Sequence, residues 1–259
     1  MKEGAENQYA RMIKEYISEE KIQKTFNQVF DHETILGLHE LAEKGMLEKI
    51  EHVISTGKEA QVFRAIDVAG NFRAIKIYKT KTATFRQMEQ YIQGDMRFEK
   101  IKHDPRSLIN AWARKEFKNL ELIQAAEVRC PHPLGFQKNI LIMEFIGDEK
   151  GNPALNLKEN PITDLELLYD TVTEYVARMV ERANLVHADL SEYNILNLHQ
   201  EAIIIDCGQG VLKSHPEAKT FYERDVQNLA NYFTKMGYPK TQEEMLKKIK
   251  EKREKQPKR

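Results

Sequence analysis

Asp189 and Asn194 lie five residues apart in the segment 185–196, and their side chains carry the oxygen atoms that phosphoryl transfer uses. A carboxylate can accept the proton of an attacking hydroxyl, and a neutral amide can ligate Mg²⁺ without trapping it. The flanking residues are too apolar for an ordinary surface loop. A simpler interpretation is that Asp189 and Asn194 only cap backbone groups at a turn between a helix and a strand. The segment therefore predicts phosphoryl transfer, with a capping turn as the alternative.

Asp206 ends the apolar run 202–206, twelve residues after Asn194. An aspartate that merely ends a strand at a turn is common, so Asp206 alone indicates little. However, His187, Asp189 and Asn194 match the spacing of a kinase catalytic loop, in which a later aspartate holds Mg²⁺ across the phosphates. Taken together, the two segments predict Asp206 as a metal ligand.

Lys76 stands between two isoleucines in a short β-rich run, which resembles the kinase strand V-A-I-K. A lysine in a strand is more often a solvated edge residue, so a partner must be sought. In the helix predicted from about Ser107 to Ala126, Glu116 falls on the apolar stripe. The stripe is formed at steps of three and four by Ile109, Trp112, Leu120 and Ile123. A buried unpaired carboxylate costs several kcal/mol, so we expect Glu116 to pair with Lys76 and to orient it toward phosphates.

The turn Ser55-Thr-Gly-Lys-Glu-Ala60 connects the first two predicted strands and should cover the phosphates. It is not a Walker A loop, because Glu59 stands where Ser or Thr belongs, and it is not G-x-G-x-x-G either. Its glycine, hydroxyls and lysine can still offer backbone N–H groups and positive charge to a phosphate. By itself the turn would be read as a surface turn.

The hydrophobic period divides the chain into elements that must position these residues. It is helical over the first 47 residues, with Asp31 and Thr34 as expected caps of the last helix and Gly45 as its stop. Three β-rich runs follow, then one helix, one further strand and a mostly helical second half. This order predicts a two-lobed α+β architecture.

The composition limits the function further. The chain has 259 residues with 40 basic and 40 acidic side chains, which argues against a uniformly basic nucleic-acid binder. Residues 247–259 nevertheless hold eight Lys/Arg and two Glu, so an acidic body carries a basic tail. Two cysteines cannot form a disulfide framework. With no signal-peptide pattern and no run long enough to span a bilayer, we expect a cytoplasmic protein that does not bind membranes.

In chain order these motifs resemble the RIO family of atypical serine/threonine protein kinases. The turn 55–60 is similar to that family's substitute for the Gly-rich loop, and His187-Ala-Asp-Leu-Ser-Glu-Tyr-Asn194 is similar to its catalytic loop. Asn119-Leu120, the run 142–147 and YIQGDMR at 91–97 point to the type-1 branch, over roughly residues 25–240. The resemblance implies a bilobal protein-kinase-like fold with a β-rich N-lobe, a truncated C-lobe and an N-terminal helical extension. The domains would then be residues 1–47, 48–147, 148–240 and a basic tail, 241–259.

The resemblance also implies roles for single residues. Asp189 would accept the proton, Asn194 and Asp206 would hold Mg²⁺ or Mn²⁺, and Lys76 would contact the phosphates of ATP. Ser55, Thr56 and Lys58 would lie over the phosphates, with Met143 as gatekeeper and the backbone of Glu144 and Ile146 at the adenine edge. Cys207 replaces the usual Phe after the metal-binding Asp, so the Phe-packing switch of ordinary kinases is not expected.

The function implied is an ATP- and Mg²⁺-dependent kinase that phosphorylates itself and acts on the precursor of the small ribosomal subunit. The alternative is an ATP-switched, RNA-binding assembly factor that hydrolyses ATP through a phosphorylated Asp206. In that alternative the tail 247–259 is an electrostatic clasp for RNA, against the simpler interpretation of a solvated, frayed helix end. Ala188 stands where ordinary kinases have Arg, so activation by a phosphorylated loop is not expected.

Overall fold

The computed structural model describes residues 31–80, 85–98 and 104–256, which divide into two compact units. The first unit takes in the described residues within 1–90, 100–117 and 133–145, and the second those within 91–99, 118–132 and from 146 onward. The elements in chain order are α1 His32–Glu43, β1 Lys49–Thr56, β2 Ala60–Ile66, β3 Phe72–Tyr78, α2 Phe85–Ile92, a 3₁₀ turn Met96–Phe98, α3 Pro105–Ala125, β4 Pro133–Gln137, β5 Ile140–Glu144, β6 Leu155–Asn156, α4 Leu165–Glu181, β7 Leu185–Val186, β8 Ile195–Leu198, β9 Glu201–Ile204, a 3₁₀ turn Cys207–Gln209, β10 Val211–Leu212, α5 Ala218–Lys235 and α6 Gln242–Glu254.

The first unit is built on an antiparallel five-stranded sheet in the order β1-β2-β3-β5-β4. Alternation along β3 sends Ile75 and Ile77 to one face of the sheet and Lys76 to the other. The face with Ile75 and Ile77 packs against α1 through buried Leu38 and Leu41. β3 lies in the middle of the sheet, so both neighbouring strands fix the position of Lys76.

Asp31 caps the N-terminus of α1 as expected, whereas Thr34, the other expected cap, lies inside the helix. The Asp31 carboxylate accepts the Thr34 N–H at 3.0 Å and the Thr34 hydroxyl at 2.9 Å, and Arg106 at the start of α3 also pairs with it. The Thr34 hydroxyl lies 3.1 Å from Oδ1 of Asn139, whose amide donates to the carbonyl of Tyr78 in β3. The other helices predicted within residues 1–30 lie outside the described residues.

The second unit consists of helices and two small sheets. β8 and β9 form a hairpin with β6 alongside, and β7 pairs with β10. α4 is capped by Asp164, which accepts the Leu167 N–H at 2.9 Å. Buried apolar side chains of α4 and α5 support the segment between β7 and β8, where the predicted catalytic residues lie.

The C-terminal basic segment forms most of α6 rather than a frayed end. A capping box of Thr241 and Glu244 starts the helix, and Met245 and Ile249 are fully buried. Lysine and arginine side chains of α6 pair with carboxylates of α4. These contacts are Lys248–Asp170 at 3.1 Å, Lys252–Asp170 at 3.0 Å, Lys252–Glu174 at 3.5 Å and Arg253–Glu181 at 2.5 Å. Part of the basic charge expected for an RNA clasp is therefore neutralised within the second unit.

Across the ranges described above, every helix is too short or too polar to cross a membrane.

Candidate active site

The ion pair expected between Lys76 and Glu116 is present in the first unit. The Lys76 ammonium lies 2.8 Å from both Glu116 carboxylate oxygens, and the two side chains are only 9% and 1% exposed. Lys76 projects from β3 and Glu116 projects from α3. Glu116 lies on the face of the helix that is turned toward the sheet. A charge pair desolvated to this degree is held in one geometry, because neither partner can be moved without leaving the other buried and uncompensated.

The loop between β1 and β2 carries the other predicted phosphate-binding residues of the first unit. The Gly57 N–H donates to the Ala60 carbonyl at 2.9 Å, and Lys79 Nζ donates to the Gly57 carbonyl at 2.7 Å. These bonds close the loop and leave Ser55, Thr56 and Lys58 exposed to solvent. The arrangement suits a loop that covers phosphates.

Asp189 and Asn194 contact each other in the second unit. The Asn194 amide nitrogen donates to the Asp189 carbonyl at 2.7 Å and to its carboxylate at 3.1 Å, and Gln209 Nε2 lies 3.3 Å from the same carboxylate oxygen. Because Asn194 uses its NH₂ group on Asp189, its amide oxygen is the atom suited to a cation. The contact between two side chains is more than the capping-turn alternative requires.

The backbone on either side of Asp189 is held by a residue that the sequence analysis did not single out. Asp225 of α5 is 2% exposed and accepts the N–H groups of Ala188 at 2.8 Å and of Leu190 at 2.9 Å. Burial raises the pKa of Asp225 to about 7, and the two backbone donors offset part of that effect. Arg224 also donates to the Ala188 carbonyl. Ala188 itself has φ +66°, a backbone conformation that costs energy for a residue with a side chain.

A sequence signal for Asp225 exists, and it is the same one that identified Glu116. Asp225 falls on the buried stripe of α5 with Phe221, Val226 and Leu229. A carboxylate at such a position must meet donors or take up a proton.

Asp206 follows the β8–β9 hairpin at its open end, and Asn194 directly precedes the same hairpin. The Ile205 N–H donates to the Asn194 carbonyl at 3.0 Å, and His187 Nε2 lies 3.0 Å from the Ile205 carbonyl. Asp206 is exposed and has φ +59° and ψ +56°, directly before the 3₁₀ turn. In the second unit, Asn194 therefore contacts Asp189 directly and is bonded to Ile205, the residue before Asp206.

The donor set suits a hard divalent cation. Asn194 and Asp206 offer an amide and a carboxylate oxygen, which Mg²⁺ and Mn²⁺ prefer. No group of three or more His, Cys, Asp or Glu side chains that could hold a metal occurs within the ranges that the structure describes. Two protein ligands alone suit an ion that also takes ligands from substrate phosphates.

The predicted adenine-binding residues lie at the end of β5 and just after it. Met143 and Glu144 belong to β5 in the first unit and are half-buried. In the second unit, the Ile146 carbonyl accepts the Ala154 N–H at 3.0 Å.

Comparison with known proteins now places the chain. A family profile described as the RIO domain matches residues 61–246. The chain is 42% identical to the RIO-type serine/threonine-protein kinase Rio1 of Haloferax volcanii, over 83% of its own length and 73% of that protein. It is 39% identical to human serine/threonine-protein kinase RIO1 over 81% of its length but only 37% of the human protein. The Rio2 kinase from Chaetomium thermophilum, solved as an ADP/Mg²⁺-phosphoaspartate complex, shares the fold with a TM-score of 0.64 at 20% identity, over 85% of this chain and 67% of that one.

The chain therefore belongs to the RIO family of atypical protein kinases and is of the Rio1 type. The α+β, kinase-like fold expected from the sequence is confirmed. The serine/threonine-protein kinase family to which it belongs implies the use of ATP and a divalent cation. The roles of single residues are not tested by these comparisons and stay predictions.

Proposed function

We propose that this kinase transfers the γ-phosphoryl group of ATP to serine or threonine hydroxyls, its own included, with Asp189 as the proton acceptor. The observation that carries the proposal is the contact of Asp189 with Asn194. The Asn194 amide nitrogen donates to one carboxylate oxygen of Asp189, and Asn194 is itself one of the predicted metal ligands. A carboxylate fixed in this way can take the proton of the attacking hydroxyl as the bond to phosphorus forms. Asp225 holds the same loop by accepting the backbone N–H groups of Ala188 and Leu190.

Asn194 and Asp206 are the residues that would hold Mg²⁺ or Mn²⁺ together with the phosphates. Such an ion, when bound, would neutralise charge that develops on the phosphate oxygens. The chain's own part is to hold the two ligand residues near each other, and the Ile205 N–H contributes by donating to the Asn194 carbonyl directly before Asp206.

Lys76 would contact the α- and β-phosphates of the same nucleotide. Glu116 keeps the ammonium in one place, because both of its carboxylate oxygens lie 2.8 Å from Lys76 Nζ. The exposed residues Ser55, Thr56 and Lys58 would cover the phosphates, and Met143, Glu144 and Ile146 would bind adenine.

The test of this proposal is an Asp189→Asn variant incubated with γ-labelled ATP and Mg²⁺. Loss of a positioned base should lower the rate of label transfer by about 10²- to 10⁴-fold. Asp164→Asn is the matched control, because Asp164 is an exposed helix cap that asparagine replaces well. An Asp189→Asn variant as fast as the control would overturn the assignment.

A second activity, ATP hydrolysis through Asp206, is favoured by the exposure of that carboxylate. A carboxylate oxygen of Asp206 would attack the γ-phosphorus, and the bond to the bridging oxygen would break to release ADP. Water would then attack the phosphorus, releasing phosphate and restoring the carboxylate. The related Rio2 kinase was solved as a phosphoaspartate complex, which supports this route.

Hydroxylamine separates the two activities. An acyl phosphate on Asp206 is cleaved by hydroxylamine, whereas a phosphate ester on serine or threonine is stable. Label that is sensitive to hydroxylamine and absent from Asp206→Asn would support hydrolysis through Asp206. Label that is entirely stable would leave only the kinase reaction.

The resemblance to the RIO family is also the basis for proposing a role on the precursor of the small ribosomal subunit, in the cytoplasm. The ion pairs of α6 place the expected RNA contact of residues 247–259 in competition with α4. We therefore expect deletion of 247–259 to destabilise the second unit as well as to change any association. Co-sedimentation of the full chain with precursor subunits over a range of salt concentrations tests the partner directly.

A further inference from the structure

Residues 91–98, which contain the YIQGDMR pattern, are closely packed within the second unit. His215 Nε2 lies 2.8 Å from the Gln93 carbonyl. Gly94 has φ +84°, and a Cβ atom there would lie 2.9 Å from Cδ of Pro216. Only glycine suits that position, since both the backbone conformation and the space exclude a side chain. The segment therefore has a fixed position, and none of the roles proposed above involves it.

Asp95 and Arg97 form a forked ion pair within this segment. Asp95 is 2% exposed, and its carboxylate meets Nε of Arg97 at 2.9 Å and Nη2 at 2.7 Å. This pairing uses one edge of the guanidinium and fixes its plane. The remaining nitrogen, Nη1, donates to Oδ1 of Asn119 at 2.9 Å.

Asn119 connects Arg97 to the turn that follows Asp206. Its side chain is fully buried, and its amide nitrogen donates to the carbonyls of Cys207 at 2.8 Å and of Gly210 at 2.9 Å. Because Arg97 takes the amide oxygen, the amide cannot rotate by 180°, and the NH₂ group must face the two carbonyls. The turn fits closely around it, since a Cβ atom at Gly210 would lie 2.9 Å from that nitrogen.

We propose that Arg97 and Asn119 are positioning residues that set the direction of the Asp206 carboxylate for cation binding. Asp206 has an uncommon left-handed backbone conformation directly before that turn, so a shift of the turn would move the backbone that carries its carboxylate. Both carbonyls that Asn119 holds belong to that turn. The inference rests on the proposed role of Asp206 as a metal ligand and assigns to residues 91–98 a part in metal binding.

Asn119→Asp is the direct test, because the change keeps size and the contact with Arg97 but sets a carboxylate oxygen against two carbonyls. The probe is Mn²⁺, titrated in the presence of adenylyl imidodiphosphate and followed by electron paramagnetic resonance. We expect the dissociation constant for Mn²⁺ to rise at least tenfold. In activity assays with ATP, the Mg²⁺ concentration for half-maximal rate should rise as well.

Asn197→Asp is the matched control. Asn197 is buried to a similar degree and donates to two carbonyls, those of Asn160 at 3.1 Å and Pro161 at 3.3 Å. It lies toward the closed end of the β8–β9 hairpin, whereas the Asp206 turn follows the open end. The two variants should lose similar thermal stability, but the Mn²⁺ dissociation constant of Asn197→Asp should stay within twofold of the parent. If both variants weaken Mn²⁺ binding equally, Asn119 is merely structural and the proposal is wrong.

Arg97→Lys supplies a second variant if Asn119→Asp does not fold. Lysine keeps the charge beside Asp95 but has no second nitrogen to hold the Asn119 amide. A raised Mn²⁺ dissociation constant in Arg97→Lys supports the proposal, and an unchanged one overturns it.

Asp206→Asn separates this inference from the function on which it rests. If Asp206→Asn binds Mn²⁺ as tightly as the parent, the proposed metal site is wrong and the inference fails with it. If Asp206→Asn weakens Mn²⁺ binding while Asn119→Asp and Arg97→Lys do not, the metal site stands and only the positioning role is refuted.

Discussion

The buried pair of Lys76 and Glu116 gives a quantitative prediction about stability and activity. Both side chains are almost fully desolvated, and the ammonium lies 2.8 Å from both carboxylate oxygens. Removing one partner of such a pair typically costs about 3–5 kcal/mol, because the other charge is left buried without compensation. Replacing both charges by apolar residues of similar volume is often neutral.

In a double-mutant cycle we therefore expect the second substitution to restore stability but not activity. Lys76→Met and Glu116→Leu should each lower the free energy of unfolding by about 3–5 kcal/mol. The double variant should be more stable than either single variant, with a coupling energy of about 2 kcal/mol or more. All three should lose phosphotransfer, since none retains a charged lysine in the required place.

Trp112 is a suitable probe for the unfolding measurement. It is the one tryptophan of the sequence, it lies one helical turn before Glu116 in α3, and it is 2% exposed. Urea unfolding followed by its fluorescence thus reports on the part of the molecule that holds the ion pair. The reasoning is refuted if a single variant is as stable as the parent, or if the double variant is no more stable than the weaker single one.

Three further predictions concern the second unit. Because burial raises the pKa of Asp225 to about 7 from its usual 3.8, its folded carboxyl keeps a proton that the unfolded one has lost, so the free energy of unfolding falls as pH rises between these values. Asp225→Asn should lack that component of the pH dependence in thermal unfolding. Ile249→Ala should cost about 2–5 kcal/mol in urea unfolding, whereas exposed Lys247→Ala should change stability by less than about 0.5 kcal/mol. Gly210→Ala should slow phosphotransfer at least tenfold, because its Cβ would lie 2.9 Å from the Asn119 amide nitrogen.

Each of these has an outcome that contradicts it. A slope that is the same in Asp225→Asn and the parent would assign the pH dependence to other groups. Equal losses in Ile249→Ala and Lys247→Ala would mean that α6 does not pack as described. A Gly210→Ala variant with the parental rate would show that the turn tolerates a displaced Asn119.

The sequence predicted those residues whose signal is local. Glu116 was found because a carboxylate on an apolar helical stripe needs a partner. Asp225 carries the same signal in α5 but was not singled out. β4 was missed because Pro133 and Gly135 interrupt its pattern. The structure shows why both are tolerated: β4 is an edge strand, where a proline costs no hydrogen bond of the sheet.

Contacts of side chains with backbone groups distant in sequence could not be predicted in the same way. Asn119 binds carbonyls 88 and 91 residues away, and a backbone carbonyl carries no sequence signal. The pairing of α6 with α4 had a signal in retrospect, since Asp170, Glu174 and Glu181 lie along one side of α4. That signal could be interpreted only once the two helices were known to be neighbours.

The two predicted catalytic carboxylates share one structural device, which explains why support from other elements is needed. Asp189 follows Ala188, at φ +66°, and Asp206 itself has φ +59°. Such conformations cost on the order of 1–3 kcal/mol and persist only where the surroundings impose them. A buried side chain from a helix does so in each case, Asp225 by accepting N–H groups and Asn119 by donating to carbonyls. Both predicted catalytic groups are therefore flanked by backbone that a buried side chain holds, so substitutions at the supporting helices should alter rate and metal affinity without touching either carboxylate.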